Sequence, residues 1–426
     1  MSRTAGAARL AFPRGAWERC SEAMARSYID AELTVRFGMQ KIKIHCDIFC
    51  TVVDNYGDIG VSWRLARQLA HEHGVEVRLW VDDLSSFHRL CPEVDATKEQ
   101  QVCQGVEIRQ WLDSFPQVEP AQLVIEAFAC ELPQRYVAAM AAQVHQPVWI
   151  NLEYLSAEDW VAGCHGLPSP HPSLPLTKYF FFPGFTPDTG GLLLEGDLMA
   201  RRTAFQRDPQ TIAAFWRTLG VPPSQAGEVR VSLFCYENPA LPSLLAAWSE
   251  SSTPILCLVP EGRVLPQVTE FFGLAHAVPG EVYKRGKLQV RVLPFMEQPR
   301  YDELLWACDI NFVRGEDSFV RVQWAARPFI WHIYPQHDQV HLKKLRAFMD
   351  IYCSGLPPDE ARVLRAWWEW WNTGESPGSA PLWSDILAYE PVLRQHAQAW
   401  AQQLSGNSLA VNVLNFYQKI DRIRDS

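Results

Sequence analysis

The sequence predicts an α/β fold with two Rossmann-like, doubly wound domains. At 426 residues, the chain is longer than one hydrophobic core usually spans. Short apolar strand patterns alternate with amphipathic helix patterns, stop at a stretch rich in Pro and Gly over 221–227, and then start again. Strands that alternate with helices are typical of a parallel sheet covered on both faces.

The first series of elements begins with a strand at 41–53 and a helix at 59–73, which Gly74 ends. Further strands are expected at 75–81, 106–111, 123–128 and 147–152, and further helices at 133–142 and 201–219. The segment 163–191 is turn-rich and aromatic, and we expect a long functional loop there.

The second series follows the same alternation. Strands are expected at 229–236, 254–259, 288–293, 310–313 and 328–333, helices at 240–249, 264–272, 300–308 and 318–326, and then only helices, including 359–371 and 408–424. We therefore place one domain at 39–222 and the other at 223–403, with a C-terminal helix at about 404–426 that packs back on the first. Residues 1–38 are expected to be a disordered extension.

Composition excludes several classes of protein. A net charge of −9 argues against nucleic acid as a main partner. The 11 cysteines form no C-x-x-C pair, so neither a disulfide framework nor a zinc ribbon is indicated, and reduced thiols in the cytoplasm are the simplest interpretation. No stretch is apolar enough to span a membrane, and we expect no membrane partner.

The turn after the first strand carries two carboxylates, Asp54 and Asp58, together with Gly57 and Gly60. A phosphate cradle works through backbone N–H groups and the positive end of a helix, so it avoids negative charge. The turn therefore indicates a catalytic base or a site for a cation. The alternative is that these aspartates only cap the helix.

A second turn, Arg314-Gly-Glu-Asp-Ser318, has a composition that suits a diphosphate. Gly315 permits a close turn, Asp317 or Ser318 can cap the following helix, and its N–H groups can hold phosphate oxygens beside the fixed charge of Arg314. Glu316 is better suited to sugar hydroxyls. The alternative is that Glu316 and Asp317 are capping residues only.

The segment before this turn offers a place for a flat base. Phe295 and Tyr301 could sandwich the base while Gln298 reads its edge, although aromatic residues are more often part of a core. His337 and His341 have the spacing of metal ligands on a helix, but no third ligand is apparent, so we expect no metal site.

Four long motifs resemble the EarP family of bacterial protein-arginine rhamnosyltransferases, which modify elongation factor P. They begin at Val53 (VDNYGDIGVSWRLAR), Ser232 (SLFCYEN), Arg314 (RGEDSFVR) and Pro328 (PFIWHIYPQ), and they span most of the chain after Met39. Four motifs in order are far more specific than one short glycine pattern.

The resemblance implies an inverting glycosyltransferase of the GT-B type, with its two domains facing across a cleft. It would move L-rhamnose from dTDP-β-L-rhamnose to one arginine of elongation factor P, without a metal or another cofactor. Asp54, Asp58 and Glu316 would be catalytic, with Asp58 the favoured base. The residues implied to bind the donor are Tyr56, Gly57, Phe234, Tyr236, Phe295, Gln298, Tyr301, Arg314, Gly315, Glu316, Asp317 and Ser318.

Two rival functions share parts of this pattern. A GT-B glycosyltransferase of cell-envelope polysaccharide would use the same diphosphate turn. Its acceptor would be a hydroxyl group, which has less need of two aspartates to bind it. A non-enzymatic sugar-nucleotide-binding protein would need only the pocket of the second domain.

Overall fold

The computed structural model describes residues 43–53, 56–336, 339–375 and 382–424. From Ile44 onward, the chain forms one compact unit. The predicted extension at 1–38 and the carboxylate of Asp54 lie outside the described residues, as does His337.

The first sheet has eight strands. They are β1 (His45–Cys50), β2 (Glu76–Val81), β3 (Gln100–Cys103), β4 (Val106–Gln110), β5 (Leu123–Ala127), β6 (Val148–Leu152), β7 (Pro168–Pro170) and β8 (Thr177–Phe181). Their order is β3-β4-β2-β1-β5-β6-β8-β7, and all neighbours are parallel except the antiparallel pairs β3–β4 and β7–β8 at the two edges. The order reverses at β1, so the turn after β1 lies where ligands of doubly wound sheets bind.

The helices of this half are α1 (Gly57–His73), α2 (Leu84–Leu90), α3 (Gln134–Ala142), α4 (Trp160–Cys164), α5 (Leu198–Arg207) and α6 (Pro209–Thr218). Helix α1 directly follows the acidic turn and buries Ile59, Trp63 and Leu65. It ends at Gly74, as predicted, because this residue adopts the left-handed conformation with φ 66° and its N–H donates to the carbonyl of Leu69.

The second sheet has six strands: β9 (Val229–Leu233), β10 (Ile255–Pro260), β11 (Val282–Arg285), β12 (Leu288–Leu293), β13 (Ile310–Arg314) and β14 (Phe329–His332). Their order is β11-β12-β10-β9-β13-β14, and only the edge pair β11–β12 is antiparallel. The order reverses at β9, and β13 beside it leads into the Arg314 turn.

The helices of this half are α7 (Leu241–Ser249), α8 (Leu265–Phe272), α9 (Gln298–Ala307), α10 (Asp317–Ala325), α11 (Val340–Cys353), α12 (Pro358–Thr373), α13 (Trp383–Leu404) and α14 (Leu409–Arg424). Helix α14 lies against the first sheet, where Phe416 meets the rings of Tyr179 and Phe181 at centroid distances of 5.3 and 5.7 Å. The side chain of Asn412 also donates to the carbonyl of Gly190 at 3.1 Å.

The predicted fold class is confirmed, because two mostly parallel sheets, each reversing its strand order, are covered by helices. The larger of two apolar clusters includes residues of both sheets, such as Ile48 and Phe312, and the other contains Phe49 and Trp80 of the first sheet. The domain boundaries stay a prediction. Among the described residues, no helix is long and apolar enough to cross a membrane.

Two predictions about local structure were wrong. The segment 163–191 is not only a loop, because it contributes the β7–β8 hairpin at the edge of the first sheet. The helix expected at 201–219 is two helices, since Asp208 leaves the helical conformation and caps α6 by accepting from the N–H of Gln210. Pro209 at the first position of α6 lacks the N–H that a continuous helix would need.

Candidate active site

A pocket of about 670 Å³, including its open mouth, lies between the two sheets at the carboxyl ends of their strands. Every residue predicted to bind the donor lines it: Tyr56, Gly57, Phe234, Tyr236, Phe295, Gln298, Tyr301, Arg314, Gly315, Glu316, Asp317 and Ser318. Leu90, Pro260, Glu261 and Met296 complete the lining. The lining comes from both sides, so a ligand here would contact the acidic turn and the Arg314 turn together.

Arg314 is held rigidly at the end of β13. Its guanidinium lies over the rings of Phe234 and Tyr236, 4.2 and 4.9 Å from their centroids, and donates to the carbonyl of Cys235 at 3.2 Å. The side chain is 7% exposed, and no carboxylate pairs with it among the described residues. Cation–π contacts fix the cation without neutralising it, so its charge is available to an anion in the pocket.

The expected side-chain cap of α10 is absent. Ser318 uses its hydroxyl on the backbone of Arg314, accepting from the N–H at 3.0 Å and donating to the carbonyl. Asp317 turns its carboxylate to Arg64, whose Nε donates to it at 2.9 Å. Within the described part of the chain no side chain caps this helix, which leaves the N-terminal N–H groups of α10 for a ligand.

The aromatic residues predicted to sandwich a base form two pairs in the pocket. Phe295 packs against Tyr56 with ring centroids 5.0 Å apart, and Tyr301 packs against Phe234 at 5.5 Å. The buried hydroxyl of Tyr301 has no hydrogen-bond partner among the described residues. A buried, unsatisfied donor in a pocket is costly unless a ligand uses it.

Gln298 lines the pocket but already uses its side-chain amide. The amide nitrogen donates to the carbonyl of Gly60 at 3.1 Å and to Asp317 at 3.3 Å, and its oxygen accepts from Arg67 at 3.2 Å. The side chain therefore links α1 to α10. Its role as a reader of the base edge stays a prediction and would require it to exchange these bonds.

Asp58 is buried in the first turn of α1 and does not cap that helix. The residue in the capping position is Tyr56, and no side chain of the described residues caps the helix. The carboxylate of Asp58 instead accepts from the N–H of Val53 at 2.9 Å and from the hydroxyl of Tyr154 at 3.1 Å. These bonds fix its orientation toward the end of β6.

Glu316 lies close enough to Asp58 for the two charges to interact. The burial of its carboxyl, together with the charge of Asp58, raises the pKa of Glu316 to about 8, although its bond to the N–H of Leu155 at 3.1 Å opposes the shift. Glu316 therefore keeps its proton near neutral pH. A charged glutamate would be repelled by a diphosphate, whereas a neutral carboxyl group is not repelled and can donate a hydrogen bond. Glu316 can therefore lie beside a diphosphate.

Tyr154 belongs to this site but was missed from the sequence. Its ring stacks on Phe128 at 4.5 Å, and Phe128, Ala129 and Glu131 all have positive φ values between 53° and 57°. Non-glycine residues in this conformation are uncommon and often occur at functional sites. The sequence did contain one indication that Tyr154 is functional: it follows β6 directly, at the edge of the sheet where the carboxyl ends of the parallel strands lie.

A buried ionic cluster below the pocket was also missed. Asp302 accepts two bonds from Arg64, at 3.1 and 3.2 Å, and two from Arg321, at 2.7 and 3.0 Å. Glu195 contacts the same two arginines at 3.5 and 2.7 Å, and Asp317 bonds Arg64. Because Arg64 lies on α1 while Asp302 and Arg321 lie on α9 and α10, the cluster joins the two halves beneath the Asp317 side of the pocket.

The comparison of this chain with known proteins gives one consistent result. The profile of a family described as "Elongation-Factor P (EF-P) rhamnosyltransferase EarP" matches residues 46–418. A protein-arginine rhamnosyltransferase of Pseudomonas putida is 51% identical over 378 residues, which cover 88% of this chain and 99% of the relative. The protein-arginine rhamnosyltransferase of Neisseria meningitidis serogroup B is 35% identical over 89% of this chain and 98% of its own.

A solved structure is similar over the same span. It is described as "Structural basis for EarP-mediated arginine glycosylation of translation elongation factor EF-P", is 38% identical, and matches with a TM-score of 0.63 over 88% of this chain and 99% of its own. The match of the family profile to most of the chain agrees with the four motifs and with the pocket they line. The chain belongs to the EarP family of protein-arginine rhamnosyltransferases, and it is a glycosyltransferase.

Proposed function

We propose that this enzyme transfers L-rhamnose from dTDP-β-L-rhamnose to one arginine of elongation factor P, with inversion at the anomeric carbon. The observation that carries the proposal is the pocket that is lined by Tyr56 and Gly57, next to Asp58, together with the Arg314 turn. One turn has the charge that a guanidinium acceptor requires, and the other has the charge that a departing diphosphate requires. We also propose that the reaction takes place in the cytoplasm.

The second sheet provides the donor side of the pocket. Arg314 and the uncapped N-terminus of α10 would hold the diphosphate, and the aromatic pairs would pack against the thymine ring. The side chains that hold Arg314 are themselves buried or packed, so little reorganisation is needed when the leaving group gains charge.

The first sheet provides the acceptor side. The pKa of a guanidinium is above ~12, so the group keeps its positive charge at neutral pH and is a poor nucleophile until one N–H is polarised or deprotonated. Asp58 is oriented by the N–H of Val53 and by Tyr154, so it can accept a proton from the attacking nitrogen. We assign Asp54 to orienting the guanidinium, and the reverse division of roles between the two aspartates stays open.

The transfer is a single displacement. The attacking nitrogen forms a bond to C1 of the sugar while the bond from C1 to the diphosphate oxygen breaks, and that oxygen leaves with the electron pair. The nitrogen gives its proton to Asp58. Arg314 and the N–H groups of α10 stabilise the departing dTDP, so the residues present can perform this step without a metal.

Glu316 belongs to the Arg314 turn, lies close to Asp58 and would act in its protonated form. With a pKa of about 8 it can donate a hydrogen bond to a hydroxyl of the sugar or to the leaving oxygen, while its second oxygen accepts from Leu155. We therefore assign Glu316 to positioning the sugar end of the donor through this hydrogen bond, next to the base.

One experiment separates this proposal from its rivals. The purified enzyme is incubated with dTDP-β-L-rhamnose and elongation factor P, and the acceptor is then weighed by mass spectrometry. A mass gain of one deoxyhexose on one arginine supports the proposal, and the anomer is assigned by NMR. Unmodified elongation factor P would contradict the proposal. Transfer to a polysaccharide hydroxyl would favour the cell-envelope glycosyltransferase, and binding of the donor without turnover would favour the sugar-nucleotide-binding protein.

A further inference from the structure

Two cysteines and a glutamate meet at a place that the proposed reaction does not use. Cys91 follows α2, Cys103 ends β3, and both thiols are buried with their sulfur atoms 3.8 Å apart. A carboxylate oxygen of Glu93 lies 3.4 Å from the sulfur of Cys103. Among the described residues, these three are the one group of His, Cys, Asp and Glu side chains whose ligand atoms lie within 4.8 Å of one another.

The distances match the edges of a tetrahedral metal site. With Zn–S bonds of about 2.3 Å, two sulfurs of a tetrahedron lie about 3.8 Å apart, and a sulfur and a carboxylate oxygen lie about 3.6 Å apart. The observed separations are 3.8 and 3.4 Å. An ion could therefore bind all three side chains with little movement.

We propose that Cys91, Cys103 and Glu93 form a binding site for a thiophilic divalent metal ion such as Zn²⁺, with water as the fourth ligand. On binding, the two thiols give up their protons and three bonds form to the metal from two thiolates and one carboxylate. The site lies outside the donor pocket, so the transfer proposed above still proceeds without a metal.

Neighbouring side chains give this group the environment of a metal site. Gln104 donates to the metal-facing carboxylate of Glu93 at 3.3 Å and accepts from Arg67 at 3.4 Å. Two thiolates, one carboxylate and one divalent ion leave a net charge of −1, which the neighbouring guanidinium of Arg67 can compensate. The contact of Arg67 with Gln298 then connects the site to the donor pocket.

The test is a metal titration of the reduced, chelator-treated full-length protein under anaerobic conditions. We expect equimolar binding of Co²⁺, with thiolate charge-transfer and tetrahedral ligand-field absorption, and displacement of Co²⁺ by Zn²⁺ but not by Mg²⁺. Zn²⁺ should also raise the melting temperature, since it binds the folded state. These readouts are independent of transferase activity.

Variants assign the ligands. Loss of a second-shell partner typically weakens a metal site by about 10–100-fold, so Cys91→Ser, Cys103→Ser and Glu93→Gln should each weaken binding by at least about tenfold. Because Glu93 is exposed, its variant should fold even if a cysteine variant does not. Cys164→Ser and Glu119→Gln are matched controls outside the group and should bind as the wild type does.

Three results would overturn the proposal. The first is reduced wild-type protein that binds neither Co²⁺ nor Zn²⁺ in equimolar amount. The second is unchanged affinity in the cysteine variants. The third is a Cys91–Cys103 disulfide in the isolated protein that, after reduction, yields thiols unable to bind metal.

Discussion

Two turns border the pocket, one from each sheet, and they present side chains of opposite charge. Each follows a parallel strand, β1 or β13, and each leads directly into a helix, α1 or α10. The first turn presents Asp58, which accepts from a backbone N–H and from Tyr154. The second presents Arg314, which is held by two aromatic rings and a carbonyl.

The helices behind the two turns reverse this pattern. Arg64 on α1, behind the acidic turn, donates to Asp317 on α10, behind the cationic turn. The comparison shows that the strand–turn–helix unit determines the position of the charged side chain. The sign of the charge is not determined by this unit and differs between the two turns. The charges of Arg64 and Asp317 serve a different purpose, because the bond between them joins the two halves of the enzyme.

The largest expected effect concerns the acidic turn. Asp58→Asn keeps the shape of the side chain but removes the base, so we expect kcat to fall by about 10²–10⁴-fold. Binding of dTDP, measured by calorimetry, should stay within about twofold of the wild type, because the donor side lies on the other turn. A large loss of dTDP affinity would contradict the division of labour between the two turns.

The next effect concerns the cluster that joins the halves. Asp302→Ala leaves Arg64 and Arg321 buried with much of their pairing lost, and breaking a buried ion pair in this way costs about 3–5 kcal/mol. Chemical denaturation should show this loss in the free energy of unfolding. As a control, Asp359→Ala removes the exposed pair with Arg362, whose atoms are 3.7 Å apart, and should change that free energy by less than about 1 kcal/mol. Equal losses of the free energy of unfolding in the two variants would show that the buried cluster stabilises the fold no more than an exposed ion pair does.

A change in the cationic turn should lower both kcat and the affinity for dTDP. Arg314→Ala removes the charge that faces the diphosphate, and the loss of one such group typically lowers kcat by about 10²–10³-fold. Unlike Asp58→Asn, this variant should also bind dTDP more weakly. Arg362→Ala is the matched control at an exposed position. Wild-type kinetics and dTDP affinity in Arg314→Ala would mean that the donor phosphates lie elsewhere.

A smaller effect is expected from Glu316 in the Arg314 turn. The pKa of Glu316 is raised from 4.5 to about 8 in the folded protein. Between these values the unfolded chain releases the proton while the folded protein keeps it, so Glu316 makes the fold less stable as pH rises. Glu316→Gln should therefore gain free energy of unfolding relative to the wild type between pH ~5 and pH ~8, as denaturation at several pH values would show. A constant difference between the two proteins across this range would refute the raised pKa.

The smallest effect concerns the close approach of α1 to α10. A Cβ at Gly60 would lie 3.2 Å from the amide nitrogen of Gln298 and 3.4 Å from the Cβ of Asp317. Overpacking costs about 1–3 kcal/mol, and the helix propensity of alanine returns about 1 kcal/mol, so Gly60→Ala should destabilise the protein slightly. Gly163→Ala, on a helix with open space around it, should not destabilise the protein. If both variants had the same melting temperature, the contact between the helices would not be tight.

The sequence was a good guide wherever neighbours along the chain decide the structure. The alternation of elements predicted most strands to within a few residues, and Gly74 marked the end of α1. It was a poor guide at 163–191, because whether a turn-rich segment adds a hairpin depends on an open sheet edge. It also missed the break at Asp208, although Pro209 was visible as a signal.

The sequence by itself determined the two turns, their charges and their place in the fold. Residue type and strand–helix alternation are local properties, and they pointed to both turns and to the segment from Phe295 to Tyr301, whereas Phe234 and Tyr236 were implied only by the resemblance to the EarP family. Only the tertiary structure decided which partners those residues have: Arg64 for Asp317, Tyr154 for Asp58, and Cys103 for Cys91. The reason is physical, because hydrogen bonds, burial and pKa shifts depend on distances across the fold, which the order of residues along the chain does not contain.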